Sequence, residues 1–234
     1  MSKNPFKHHR FPPQVILLAV RWYCRYPLSY RDVRDLLCER GIHADPATIN
    51  RWVIKFGPLI AKKTRLLRYP RTMLWHVDET YIRVAGKWRY LWRIVDQSGQ
   101  FVDFRLTTKR DSKAAKAFMA QAQRDCGLYP PMTIVTDKAP TYPAIIRAMG
   151  PHAYSNLPVE HINHKWCNNR IESDHAALKR ITDPGKGFKS LRSAKATLQA
   201  VEALRTIKRG HIVEKSTNAA GEVRLMESLF GIAA

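Results

Sequence analysis

The sequence predicts a mixed α/β protein in which a small all-helical module precedes a larger α/β domain. Three observations carry this expectation. Apolar residues recur at helical spacing from Val15 to Phe56. Between Leu74 and Thr107, runs of aromatic and β-branched residues are separated by short breaks containing Gly86 and Gly99, the pattern of antiparallel strands. Beyond Ser112, helical and strand-like segments follow one another irregularly, a poor fit to a doubly wound dinucleotide fold. The chain has neither GxGxxG nor a GxxxxGK phosphate loop, so nucleotide-phosphate cradling has no support.

The first helix begins near Pro13, with Val15, Leu18, Ala19, Trp22 and Tyr26 on one face, and Pro27 ends it. Ser29 caps a second helix whose apolar positions include Tyr30, Val33, Leu36 and Leu37, and Gly41 suits its C-terminal side. Asp45-Pro46 supplies an N-cap and a first-turn proline for a third helix. There Ile49, Trp52, Val53 and Phe56 form the buried face, and Thr48, Asn50, Arg51 and Lys55 point outward. Residues 13–57 therefore read as a helix-turn-helix DNA-binding domain with the third helix as recognition helix. A plain three-helix bundle with a solvated polar face has the same pattern, and the charge of the chain favours the DNA reading. Residues 1–12 read as a flexible basic arm and 58–72 as a basic, proline-punctuated linker.

Residues 73–210 are expected to form the α/β domain. Strands are predicted at Leu74–Val84, Trp88–Val95 and Phe101–Thr107, then a helix over Ser112–Cys126 and a short buried strand at Met132–Thr136. A helix over Pro140–Met149, a strand near Leu157–His161 and a helix over Asn168–Ile181 follow. A stripe of Leu191, Ala194, Leu198, Val201 and Leu204 predicts a long helix packed on the sheet, since three heptads of a coiled coil are not sustained. Residues 211–234 read as a tail.

Lys and Arg number 40 against 19 acidic residues, a formal charge of +21. Self-repulsion on that scale calls for an anionic partner, and basic residues spread along the whole chain favour nucleic acid over a membrane surface. Cys24, Cys38, Cys126 and Cys167 form no CxxC pair, which argues for a reducing compartment. With no signal-like N-terminus and no run of about eighteen apolar residues, a soluble, cytoplasmic protein is expected.

Three carboxylates stand out. Asp78 lies inside the hydrophobic run Leu74–Tyr81, and Asp137 directly follows the run Met132–Thr136. Carboxylates so placed are costly unless paired, hydrogen-bonded or metal-bound. Glu79 adjoins Asp78, but side chains alternate along a strand, so only one of them faces any one site. Asp137 before Lys-Ala-Pro also suits a turn former. Glu172 is on a helix whose buried stripe includes Ile171 and Leu178, with His175 and Lys179 on its own face at i+3 and i+7.

A strand Asp, a second Asp after a short strand, and a helical Glu separated from it by 34 residues (172 − 137 − 1) resemble the DDE transposase and integrase pattern. The Lys seven positions after the Glu belongs to that pattern too. The wording of Trp75–Tyr81, Thr136–Pro140 and Asn168–His175 is similar to the cointegrate-forming insertion-sequence transposases of family six, as are Arg21-Trp22-Tyr23 and Gly187–Ser190. The resemblance implies an RNase H-like, retroviral integrase-like catalytic domain. It implies Asp78, Asp137 and Glu172 as catalytic metal ligands, and Lys179 as a DNA contact. It also implies two Mg²⁺ ions, with Mn²⁺ able to substitute, which suits an all-oxygen donor set. The expected partners are terminal inverted repeats, target DNA and further copies of the chain, as a dimer or higher.

His161, His164, Cys167 and His175 have zinc-ligand chemistry but irregular spacing, so a loop near DNA is the expectation there. Two other functions share parts of the pattern. A DNA-binding regulator would not need three carboxylates around a sheet, and a structure-specific nuclease such as a junction resolvase would not need an end-recognition module.

Overall fold

The computed structural model describes residues 4–126, 130–137, 139–140, 142–150, 157–163, 169–183, 188–214 and 218–232. The chain divides into two compact units. The first comprises Met1–Tyr69, Ile181–Lys186 and Arg192–Ala234, and the second Pro70–Arg180 with Gly187–Leu191.

In the first unit, α1 (Pro13–Arg25), α2 (Tyr30–Cys38) and α3 (Pro46–Leu66) appear where the sequence places helices. Ser29 and Asp32 close a reciprocal capping box, and the Asp45 side chain accepts from the Ala47 N–H at 2.7 Å. Two boundaries differ from expectation. Residues 58–66 are not linker, because α3 runs through Pro58 and its buried stripe continues through Ile60 and Thr64. The long helix α7 (Leu191–Lys208) is grouped from Arg192 onward with these helices, not with the sheet. A Cβ on Gly57 of α3 would stand 2.7 Å from the Ala196 carbonyl oxygen of α7, so only glycine permits that approach of the two helices.

The expected arm and tail are also structured. Phe6 is buried, stacking on Phe56 with centroids 4.7 Å apart and meeting Phe230 edge-on at 5.3 Å. The predicted tail contains α8 (Ala219–Ser228), which buries Leu225 and Met226. Glu222 of α8 accepts from the buried Arg21 guanidinium at 2.6 Å. Aromatic and charged partners distant in sequence decide both segments, so local periodicity does not reveal them. No helix among the described residues is long and apolar enough to cross a membrane.

The second unit is built on a five-stranded sheet in the order β3-β2-β1-β4-β5. Its strands are β1 (Leu74–Val84), β2 (Lys87–Asp96), β3 (Phe101–Thr107), β4 (Thr133–Thr136) and β5 (Glu160–Asn163). β2 runs antiparallel to β1 and β3, whereas β4 is parallel to β1 and β5. The first hairpin turns on Ala85 and Gly86, both at positive φ, as a two-residue primed turn demands. The second closes on Asp96, whose carboxylate is fully buried and accepts from the N–H groups of Ser98, Gln100 and Thr72. That carboxylate holds a turn and is no part of the candidate site.

Alternation along β1 assigns its two faces. Trp75 and Val77 join Trp92 and Ile94 of β2 in a core with α4 (Ser112–Asp125) and α5 (Tyr142–Arg147), contributing Phe118, Met119 and Ile145. Burying each such large apolar side chain contributes about 1.5–3 kcal/mol. Asp78 lies on the opposite face, toward α6 (Asn169–Thr182).

Candidate active site

Each of the three carboxylates is carried by a different element. Asp78 is mid-β1, where its cross-strand partner is Arg93. Asp137 leaves the end of β4, and its side chain accepts from the Ala139 N–H at 3.0 Å, holding the turn. Glu172 is exposed in the first turn of α6. Asp78, mostly buried, senses the other two. Its carboxyl is pushed up from 3.8 to about 7, first by burial, then by the charges of Glu79, Asp137 and Glu172. Among the described residues, no three His, Cys, Asp or Glu side chains already converge as a ligand cluster.

A raised carboxyl pKa has a defined sign. The folded protein holds that proton more tightly than the unfolded chain, so this contribution is full below about 4 and is lost as pH rises toward about 7. In chelator, Asp78→Asn is therefore expected to gain thermal stability relative to the unsubstituted protein as pH rises from 4 to 7. Mg²⁺ at pH 8 should raise the melting temperature of the unsubstituted protein only. Parallel pH curves for the two proteins would exclude the account.

α6 is seated by buried polar contacts as well as by Ile171 and Leu178. Asp174 bonds Arg93 at 2.5 Å, with the Arg93 side chain wholly buried. His175 turns Nδ1 toward Asp78 Oδ2 at 3.6 Å. His175 therefore lies in the buried stripe, while Glu172 and the half-buried Lys179 share its edge about two turns apart. The Arg93–Asp174 pair is not among the expectations drawn from the sequence. Its signal was an Arg inside Leu91-Trp92-Arg93-Ile94-Val95, a position that demands a carboxylate partner.

Glu79 also differs from a metal-ligand candidate. On the opposite face, one of its carboxylate oxygens accepts from the Tyr142 hydroxyl at 2.8 Å, and the other pairs with Arg110. The two zinc-like residues that the structure describes have separate partners. The His161 ring nitrogen Nε2 lies 2.9 Å from Thr136 Oγ1, His175 faces Asp78, and His164 and Cys167 lie outside the described residues.

In the first unit, Thr48 and Asn50 are half-buried and Arg51 and Lys55 exposed on the outer side of α3. Arg51 Nη2 donates to Thr48 Oγ1 at 2.9 Å, and Lys55 Nζ lies 2.7 Å from His9 Nε2.

A sheet of this order with β2 alone reversed has the RNase H-like topology, and with acidic side chains on β1, after β4 and on α6 it defines the class as an RNase H-like phosphoryl-transfer enzyme. Comparison with known proteins narrows the class. A family model described as DDE domain matches residues 72–211. The chain is 35% identical over 202 residues to the transposase for insertion sequence-like element IS431mec of Staphylococcus aureus, covering 86% of this chain and 87% of the relative. The same identity and coverage hold for the transposase for insertion sequence element IS257 in transposon Tn4003 of Staphylococcus aureus. Among solved structures, the HTLV-2 integrase catalytic core domain in complex with magnesium aligns with 66% of this chain and 95% of its own, at 18% identity and a TM-score of 0.42. The chain belongs to the DDE insertion-sequence transposases.

Proposed function

We propose that Asp78, Asp137 and Glu172 form the metal-binding catalytic centre, that Mg²⁺ is its physiological ion, and that two ions work together. The observation carrying this is the burial and charge coupling of Asp78 with the other two carboxylates. Their donor set is all oxygen, which fits a hard divalent cation. Bound there, two ions would activate the entering oxygen and stabilise the leaving one. The chain's residues supply the frame. β1 and the Arg93–Asp174 pair seat α6, the helix that carries Glu172. In this reading water first frees a 3′-OH at the transposon end, and that 3′-OH then attacks target DNA, with cointegrates as the expected outcome. No covalent enzyme–DNA intermediate is required.

The first unit would recognise the terminal inverted repeats as a helix-turn-helix module. Thr48, Asn50, Arg51 and Lys55 on α3 would face the DNA, with Asn and Arg suited to bidentate base contacts. Lys179, an ammonium on the Glu172 edge of α6, would hold a phosphate or base near the transposon tip. Two ends must be brought together, so the working form would be a dimer or larger, acting on DNA in the cytoplasm.

One assay on end DNA tests the arrangement, reading binding and strand joining separately. Asn50→Ala and Arg51→Ala should each lower specific affinity by about 1–3 kcal/mol per lost base contact, with non-specific binding retained. Lys179→Ala should keep binding and lower joining by roughly tenfold to a hundredfold, about 1.4–2.8 kcal/mol. A 3′-dideoxy end should bind and fail to join. Joining from that end would overturn the proposed chemistry.

A further inference from the structure

The hairpin of β1 and β2 extends beyond the helices that cover its core face. From Trp92 outward, the opposed pairs on that face are Glu79 with Trp92, Tyr81 with Tyr90, and Arg83 with Trp88. β3 adds Arg105 beside Trp92 and Thr107 beside Tyr90. The innermost pair is buried, but Tyr81 is 42% exposed and Trp88 65% exposed. On the reverse face Ile82 and Val84 are buried. This end of the sheet therefore presents aromatic rings on its solvent side.

We propose that this face is a stacking platform for unpaired DNA bases, formed by Tyr81, Tyr90 and Trp88, with Arg83 and Arg105 for the adjoining phosphates. The proposal rests on the reading of this chain as an enzyme acting on DNA. Tyr81 and Tyr90 rings are 5.2 Å apart, tilted at 57°. A cross-strand aromatic pair by itself stabilises a hairpin, which accounts for those two rings. It does not account for Trp88, a large indole opposite Arg83 and mostly in water.

Charge selects the occupant. No acidic residue occurs from 80 to 95 or from 104 to 110, whereas Arg83, Lys87, Arg105, Lys109 and Arg110 do. Two carboxylates adjoin the rings on this face: Glu79, buried and paired with Arg110, and Asp103, two residues before Arg105, which accepts from the Gln121 side-chain amide at 3.4 Å. Two copies of so cationic a surface would repel, whereas exposed rings flanked by guanidinium groups suit a polyanion with free π-faces. Duplex DNA hides those faces, so the expected occupant is single-stranded or frayed. Tyr81 is three residues from Asp78, about 10 Å along β1, which sets the platform near the candidate centre without sharing its face.

The test uses the full chain in chelator and compares binding of an oligodeoxythymidine with that of a duplex of equal length and salt. Trp88→Ala and Tyr81→Ala should each weaken single-strand binding about tenfold to a hundredfold. Duplex affinity should stay within about twofold, because phosphate contacts elsewhere carry it. Trp88→Phe should restore most of the loss. Unchanged single-strand affinity, or equal loss on both DNAs, would overturn the proposal. So would a fall in sedimentation coefficient with single-strand affinity per chain unchanged, which would make the face an interface between copies. Binding is read without strand joining, so failure here is distinct from failure of the catalytic reading.

Discussion

Asp78→Asn is expected to reduce strand joining at least about a thousandfold, roughly 4 kcal/mol of barrier, while leaving end binding within about twofold. The reasoning starts from the sheet. A mid-strand position fixes the Asp78 carboxylate on one face, and Asp137 and Glu172 are near enough to raise its pKa. An amide in its place keeps the shape but removes the negative charge that would hold a divalent cation, and bound metal contributes several kcal/mol to a phosphoryl-transfer transition state. Asp137→Asn and Glu172→Gln should behave alike if the three act as one centre. The measurement is strand-transfer rate at saturating end DNA and Mg²⁺. Substantial joining by the Asp78→Asn protein would remove Asp78 from the centre. A parallel collapse of end binding would instead trace the loss to structure.

Asp174→Ala should be the most destabilising of the substitutions discussed, costing about 3–5 kcal/mol. Arg93 has no exposed side-chain surface, and its guanidinium lies 2.5 Å from Asp174. Removing the carboxylate leaves that charge in the interior without its ion-pair partner. Replacing both partners by apolar residues, as in Arg93→Met with Asp174→Leu, should recover most of the loss, because the desolvation of both charges is then avoided. Chemical denaturation followed by tryptophan fluorescence measures both. A loss below about 1 kcal/mol for Asp174→Ala would mean the pair contributes no more than a surface ion pair.

Much of this protein was legible in one dimension. The three hairpin-linked strands follow from period-two runs and turn residues, and β1 and β3 match their predicted spans. The N-cap signals at Ser29 and Asp45 are local chemistry, and both caps are present. The family, too, was readable, because the spacing of Asp78, Asp137, Glu172 and Lys179 and the residues around them resemble its motifs, and the two aspartates beside buried strands are costly without a partner.

Tertiary structure decided the rest, wherever a segment's fate depends on partners far away in sequence. Phe6 is not part of a free arm because Phe56 and Phe230 surround it, and no local pattern announces them. Pro58 does not end α3, because the apolar stripe continues and its helix packs closely on α7 through Gly57. The stripe of α7 is equally suited to a sheet or a helical layer, since periodicity names a buried face and not what buries it. The same limit holds at the candidate centre. Local sequence alone does not say what each of Asp78, Glu79 and Asp174 faces. The pleat turns Asp78 to α6 and Glu79 to Tyr142 and Arg110, while Arg93 claims Asp174, because a buried cation on the neighbouring strand requires a counter-charge.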